Sequence, residues 1–253
     1  MTLLAEDEPP PFRVLNPGGT SPFLLTADHA GRVIPSALGR LGLSEADLGR
    51  HIAWDIGIAA VTERLAAALD AAAVLQTYSR LVIDCNRQPS VPSAFPEVSE
   101  ATVIPGNAGL PAAEKERRKR AIFEPYHAQI ARMIAARGRT VYVAMHSFTP
   151  VYLGAARPME AALLYNRNPR LSHILARLFR SEYDMAVAEN DPYRVSDESD
   201  YGVPVHAERG GLDYAEIEIR QDLIEDEAGQ AKWAAMLARL LPLAWRELGE
   251  EAA

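Results

Sequence analysis

The chain is predicted to fold as an α/β domain, with a parallel or mixed sheet covered on both faces by helices. Three observations predict this class. Short apolar runs of strand type alternate with longer segments of helical spacing. The length, 253 residues, suits one large domain with a substantial core. No repeat of solenoid spacing and no interdomain linker interrupts the pattern.

Residues 1–20 carry prolines and glycines and read as an irregular arm, leaving 21–253 as a single domain. "PFLLTADHAGRVIP" begins as a short apolar strand and breaks at Ala30 and Gly31. Ser44 is a helix N-cap, with Asp47 as the acid three residues on. A helix is predicted from about His51 to Leu69, with Ile52, Ile56, Ala59 and Ala60 at helical spacing. Two strand-like runs follow, at Ala73–Gln76 and Leu81–Cys85. The proline-rich stretch from Pro89 to Pro111 is a long loop, and loops of that length often cover a site. "AAEKERRKRAIFEPYHAQIARMIAARG" is helical, with Pro125 as a kink or a first-turn residue, and its charge run reads as a solvated face. "RTVYVAMHSF" is the clearest strand, and "MEAALLYNR" is another. "NPRLSHILARLFRSE" is a helix, "YDMAVAENDPY" a strand with a turn, and "YAEIEIRQDLI" a late strand. "EAGQAKWAAMLARLLPLAWRELGE" closes as an amphipathic helix.

Composition narrows the function classes. A net charge of −8 argues against a nucleic-acid or anionic-membrane partner, although a local arginine cluster can still hold an anionic substrate. The single cysteine, Cys85, cannot form an internal disulfide and sits in an apolar run, so a cytoplasmic location and an inert thiol are expected. "MTLLAEDEPPPF" lacks the pattern of a signal peptide, and no apolar stretch reaches 18 residues. There is no Walker glycine-lysine motif, no dinucleotide fingerprint, no GxSxG elbow, and no HExxH, HxH or CxxC.

Two constellations carry chemistry. His29 and His146 both follow apolar strands, and in an open α/β sheet sites gather beyond the carboxyl ends of the strands. Two histidines delivered there can reach one ion, and a catalytic zinc site commonly takes three protein ligands. Asp55, in the apolar "HIAWDIG", and Asp28, beside His29, compete for the third place. His51 lies four residues before Asp55, as a ligand or a supporting group. The second constellation is charge beside apolar sequence: Arg80 with Asp84 and Arg87, Arg167, and Glu218 with Arg220. On a strand Glu216, Glu218 and Arg220 share one face, either a solvated edge or one wall of a site. Arginine can grip a carboxylate through two parallel bonds, and a glutamate near an activated water can take its proton. His206, in a glycine- and proline-marked loop, is a candidate oxyanion donor. His127 and His173 read as helix residues.

"TADHAGRVIP", "HIAWDIG", "YSRLVIDCNR", "EPYH", "AMHSFTP", "LLYNR" and "VPVHAERGGLDYAEIEIRQDLI" together resemble the N-formylglutamate amidohydrolase family, in family order from about residue 21 to about 225. The resemblance implies a three-layer α/β/α sandwich of the phosphorylase/hydrolase-like type, with a mostly parallel mixed sheet, related to zinc carboxypeptidases. It implies hydrolysis of N-acyl amino acids, above all N-formyl-L-glutamate to formate and L-glutamate in histidine degradation. By position, His29, His146 and Asp55 resemble ligands of a zinc ion, and Glu218 the late-strand base. Asn86 and Arg87 resemble the pair that takes the substrate carboxylate, with Arg80 and Arg220 as further candidates. One departure stands out. The wider zinc-peptidase group has His-x-x-Glu at its first ligand pair, whereas Arg32 follows His29 by three. The expected partner is a small N-acyl amino acid, with no nucleic acid or membrane, for a monomer or homodimer. The competing class is a binding protein of the same fold without turnover, or a zinc hydrolase of another amide.

Overall fold

A sheet covered on both faces needs strands that are apolar on both sides. The computed structural model of the chain describes residues 2–250. Among them, Phe12–Leu15 (β1), Phe23–Ala27 (β2), Ala72–Gln76 (β3), Val141–Phe148 (β4), Ala161–Leu164 (β5), Val187–Glu189 (β6) and Asp213–Arg220 (β7) form one seven-stranded sheet. Its order is β1-β3-β2-β4-β7-β5-β6. β2 to β5 are buried at every position, and β7 at all but its two ends. The core pairs β3–β2, β2–β4 and β4–β7 are parallel, as is β5–β6, while β1–β3 and β7–β5 are antiparallel.

Because successive side chains point to opposite faces, each strand feeds two cores. Leu25, Val143, Met145, Ile217 and Ile219 pack against helices Ile58–Leu69, Arg170–Tyr183 and Glu227–Glu250. Leu24, Val74, Tyr142, Ala144 and Tyr214 pack against Tyr126, Ile130 and Met133 of helix Glu124–Ala136 and against the long loop. The result is the three-layer sandwich with a mixed sheet. No helix among the described residues is long and apolar enough to cross a membrane.

Ser44 caps the short helix Glu45–Leu48 (α1), its Oγ accepting from the Asp47 N–H at 3.1 Å. The helix predicted from His51 begins at Ile58 instead and runs to Leu69 (α2). Gly57 at its N-cap has φ +80°, a left-handed turn that breaks the helical spacing before it. Ala112–Arg118 (α3) and Glu124–Ala136 (α4) are joined by a wide π turn, Lys119–Phe123. Pro125 lies in the first turn of α4, where it lacks an N–H and its ring needs room, and the widened turn supplies both. The charge run there forms Glu114–Arg117 and Glu116–Arg120 pairs on a solvated face, but Arg118 turns inward. It is 1% exposed and donates to the carbonyl oxygens of Val82 and Gly106 and to Asn107 Oδ1. This buried cation ties the long loop to the body of the fold. Arg170–Tyr183 (α5) and Glu227–Glu250 (α6) match their sequence segments.

Two other expectations are corrected. Leu81–Cys85 is a chain of turns, not a strand: Val82 N–H bonds the Ser79 carbonyl and Asp84 N–H the Ala94 carbonyl. Its apolar residues are buried beneath the loop, and burial without period cannot distinguish a strand from a covered turn. The N-terminal arm is not wholly irregular. Phe12–Leu15 pairs antiparallel with β3, and Leu3 is buried.

Gly57 fixes how the chain passes from Asp55 into α2. A Cβ there would lie 2.1 Å from the Ile224 carbonyl oxygen, at a left-handed φ. Gly57→Ala is expected to cost about 2 kcal/mol, read as a melting temperature lower by roughly 4–8 °C. An unchanged melting temperature would show that the backbone yields at this point.

Candidate active site

The polar side chains of the sheet gather on one face near its carboxyl end. His146 on β4 stands directly opposite Glu218 on β7 in the parallel register, and Glu216 lies two residues earlier on the same face. His29 follows β2 by two residues, and its carbonyl accepts the Asp55 N–H at 2.9 Å, which brings the "HIAWDIG" segment over the sheet. The long loop and the segment Thr149–Asp200 wall a cleft of about 630 Å³, lined by His29, Asp55, His146, Glu216 and Glu218 among others.

His29, Asp55 and His146 are all buried, with one donor atom from each lying within 4.8 Å of the others. His29 Nδ1 is 3.5 Å and His146 Nδ1 3.2 Å from the same oxygen, Asp55 Oδ2. Ligands at about 2.0–2.1 Å from a tetrahedral zinc stand about 3.3 Å apart, so these separations fit three corners around one ion. The surroundings fit as well. His29 Nε2 meets Asp84 Oδ1 at 2.7 Å, and since a carboxylate only accepts, that nitrogen carries the proton and Nδ1 is left with its lone pair. His29 Nδ1, one of the three corner atoms, has no hydrogen-bond partner, and unpaired buried polar atoms are rare.

Charge gives the same answer. Burial and Arg80 push the His29 pKa down, but Asp84 and Asp55 outweigh them and raise it. Burial also opposes charge on His146, yet its bond to Asp55 and the nearby Glu216 raise it to about 10. Asp55, despite its burial, is held far below the usual carboxylate range by the two imidazoles. A cluster whose charges favour protons in this way fits a cation held by the same three residues.

Position separates Asp55 from Asp28. Asp28 Oδ1 accepts from the Tyr126 hydroxyl at 2.5 Å, and its Oδ2 lies 3.7 Å from His146 Nε2, the nitrogen that does not face Asp55. Asp28 does not line the cleft. It lies behind His146, beyond hydrogen-bond distance, on the side away from Asp55. His51 lines the cleft beside Glu100, at 3.6 Å, outside the cluster.

Glu218 and Glu216 are buried, each with an Oε2 that has no partner. Burial pushes Glu218 up to about 8 and Glu216 up to about 7. Glu218 feels the charges of His146, Asp55 and His29, whereas Glu216 feels His146, Asp200, Asp28 and Arg87, so Glu218 is the one that faces the histidine–aspartate cluster.

The predicted arginines are less free than expected. Arg80 donates to Asp84 Oδ2 at 2.6 Å and lies 3.5 Å from Asp55 Oδ1. Arg87 pairs with Asp200, not Asp84, and Asn86 Oδ1 accepts from the Gly202 N–H; both residues still line the cleft. Arg220 is turned out of the cleft. It pairs with Asp222 at 2.8 Å and donates to the carbonyl oxygens of Arg157, Pro158 and Met159, because a strand's last residue can leave its face. Arg167 pairs with Asp197 and Glu208 on the surface. His206 is likewise a correction: it does not line the cleft. His127 Nε2 must donate to the Cys85 carbonyl, at 2.9 Å, so its Nδ1 accepts the His206 Nε2–H at 2.8 Å, and burial pushes His206 down to about 4. Missed from the sequence was Arg157, which lines the cleft among Phe148, Tyr152 and Tyr193. Phe148 and Tyr152 lie on the stretch that leads into it and Tyr193 on a distant one, so no compact motif marked it.

Solved structures share this architecture. A gene product of Agrobacterium tumefaciens is 38% identical, with a TM-score of 0.94 over 98% of this chain and 99% of its own. N-formylglutamate amidohydrolase from Ralstonia eutropha JMP134 is 21% identical, with a TM-score of 0.66 over 93% of this chain and 97% of its own. A comparison with curated proteins finds no match. Fold and cleft thus define the class, a hydrolase built on a three-layer α/β/α sandwich with ionisable groups at the carboxyl ends of its central strands. Residues 21–225 match the family model described as N-formylglutamate amidohydrolase, and the chain belongs to that family.

Removing a ligand should outweigh removing a group behind it. Asp55→Asn is expected to weaken retention of a divalent cation by more than about 100-fold, and Asp28→Asn by about tenfold. The reverse order, read by metal analysis after dialysis, would place Asp28 in the ligand set. Asp55 and Glu216 raise the His146 pKa, so cation uptake at this ring is expected to expel a proton. Apparent affinity should therefore fall about tenfold per pH unit for each proton expelled as pH is lowered. Calorimetry in buffers of different ionisation enthalpy counts the protons, and a count of zero would contradict this charge assignment.

Proposed function

We propose that the chain is a metal-dependent amidohydrolase of N-acyl amino acids, with N-formyl-L-glutamate as substrate and formate and L-glutamate as products. The observation that carries this reading is the convergence of His29, Asp55 and His146 on one point, opposite the unpartnered carboxylate of Glu218, in a chain of this family. A zinc ion held by His29, Asp55 and His146 would polarise the acyl carbonyl and make a water acidic.

The remaining work falls to side chains. Glu218 Oε2 takes the proton of the attacking water as the new C–O bond forms at the acyl carbon. The C–N bond then breaks, and Glu218 returns the proton to the departing nitrogen, which cannot leave as an amide anion. Burial raises the Glu218 carboxyl, and a cation held beside it would favour the ionised form that takes the proton. Asp84 holds the His29 ring through Nε2, and the Ser147 N–H holds Asp55 Oδ2 at 3.1 Å. The single buried cysteine supports a cytoplasmic setting for this chemistry.

The test is a panel of N-formyl, N-acetyl and N-succinyl amino acids with zinc-loaded wild type and Glu218→Gln. N-formyl-L-glutamate should rank among the best substrates. Glu218→Gln should keep its zinc and lose at least about 100-fold in kcat. Near-normal turnover in the variant would remove Glu218 from the mechanism. No hydrolysis of any member by the wild type would overturn the amidohydrolase reading.

A further inference from the structure

We propose that Arg157 receives the side-chain carboxylate of the substrate, so that the cleft selects acidic N-acyl amino acids; this rests on the amidohydrolase reading above. Four arginines line the cleft: Arg80, Arg87, Arg157 and Arg194. The first two are neutralised, by Asp84 and by Asp200. Among the described residues Arg157 has no carboxylate within ion-pair distance, in a chain with 34 acidic and 26 basic residues. Arg194 is exposed, and no side chain holds it.

Arg157 differs from an ordinary solvated arginine because it is held. Its guanidinium carbon lies 4.9 Å from the ring centres of both Tyr152 and Tyr193, and 5.7 Å from that of Phe148. Aromatic faces attract and orient a guanidinium but do not cancel its charge. The backbone is fixed too. The Arg157 N–H bonds the Pro150 carbonyl at 2.8 Å, and Arg220 braces the Arg157, Pro158 and Met159 carbonyl oxygens. Among the described residues only Nη1 of the guanidinium donates, to the Tyr193 hydroxyl at 2.9 Å and to the Thr149 carbonyl at 3.5 Å. The Nε–Nη2 edge remains, and its two parallel N–H groups match the two oxygens of a carboxylate.

Placement suits the second acid of a dicarboxylic substrate. Asn86 and Arg87 are on the wall that follows β3, whereas Arg157 is on the hairpin that follows β4. Tyr193 bonds Arg157 while lying close enough to Glu218 for that charge to act on its hydroxyl. Arg157, Tyr193 and Glu218 line the same cleft. A substrate with a single carboxylate would leave the Arg157 edge unmatched.

The experiment compares zinc-loaded wild type, Arg157→Gln and Arg157→Lys on N-formyl-L-glutamate and on N-formyl-L-glutamine, which has nearly the same shape without the side-chain charge. Binding of L-glutamate and L-glutamine to the same proteins is measured by calorimetry. Wild type should favour the acid. Arg157→Gln should lose about 10- to 100-fold in kcat/KM on the acid, mostly through KM, and change little on the amide. Arg157→Lys, which keeps the charge without the fork, should fall between. Equal losses on both substrates, as from a damaged hairpin, would overturn the proposal, as would a wild type that does not distinguish acid from amide. If wild type hydrolyses neither compound yet binds L-glutamate at least about tenfold tighter than Arg157→Gln does, the carboxylate clamp stands and the amidohydrolase reading falls. If the acid is hydrolysed equally well by wild type and Arg157→Gln, the reading stands and the clamp falls.

Discussion

One oxygen organises the centre of this molecule. Asp55 Oδ2 faces His29 Nδ1, His146 Nδ1 and the Ser147 N–H at once, in a residue only 2% exposed. A buried carboxylate is costly unless charge and hydrogen bonds surround it, and here they come from two distant parts of the chain, His29 and the adjacent His146 and Ser147. β2 must end where His29 can turn inward, β4 must end where His146 and the next N–H point together, and Gly57 must lead the chain away into α2. Asp84 and Arg80 then form a further layer, each bonded to the other. The fold is, in this sense, the scaffold that makes an aspartate tolerable in an apolar interior.

The parts of the fold that could be read from sequence were those with long, unambiguous period. β4, β7, α5 and α6 fall where their apolar spacing places them, and His146 and Glu218 follow from strand alternation. His29 was legible as the polar residue that ends a strand. The failures share a cause. Leu81–Cys85 is apolar because it lies under a loop, and Phe12–Leu15 is a short edge strand whose partner is sixty residues away. Strand alternation puts Arg220 on the Glu218 face and a glycine- and proline-marked loop singles out His206, yet a strand end turns one outward and the buried His127 bonds the other. Arg157 was invisible because its free charge depends on a hairpin that stacks it on Tyr152 and Phe148 and on Tyr193 from a distant loop, which no compact motif records.

Charge in the cleft is arranged in depth. The floor carries two carboxyl groups held up by burial and two imidazoles drawn toward positive charge by aspartates. The walls carry arginines already matched to acids. Only near the mouth does positive charge stand without an acid beside it, against a protein of net charge −8. Such a local reversal of sign is what an anion needs in order to enter a negatively charged molecule.

The strand order carries a consequence for how the chain is made. β7 is the last strand in sequence, but it occupies an interior position, between β4 and β5. Until the ribosome has released residue 220, β4 and β5 each present a row of unpaired backbone groups along the gap that β7 will fill. Such open edges invite pairing with other chains, and the nascent protein is a natural client for chaperones during that interval. The delay also brings Glu218 to its place last. The proton-transfer group therefore arrives with the strand that closes the sheet, and the half-made chain holds its histidines without the acid that would use them.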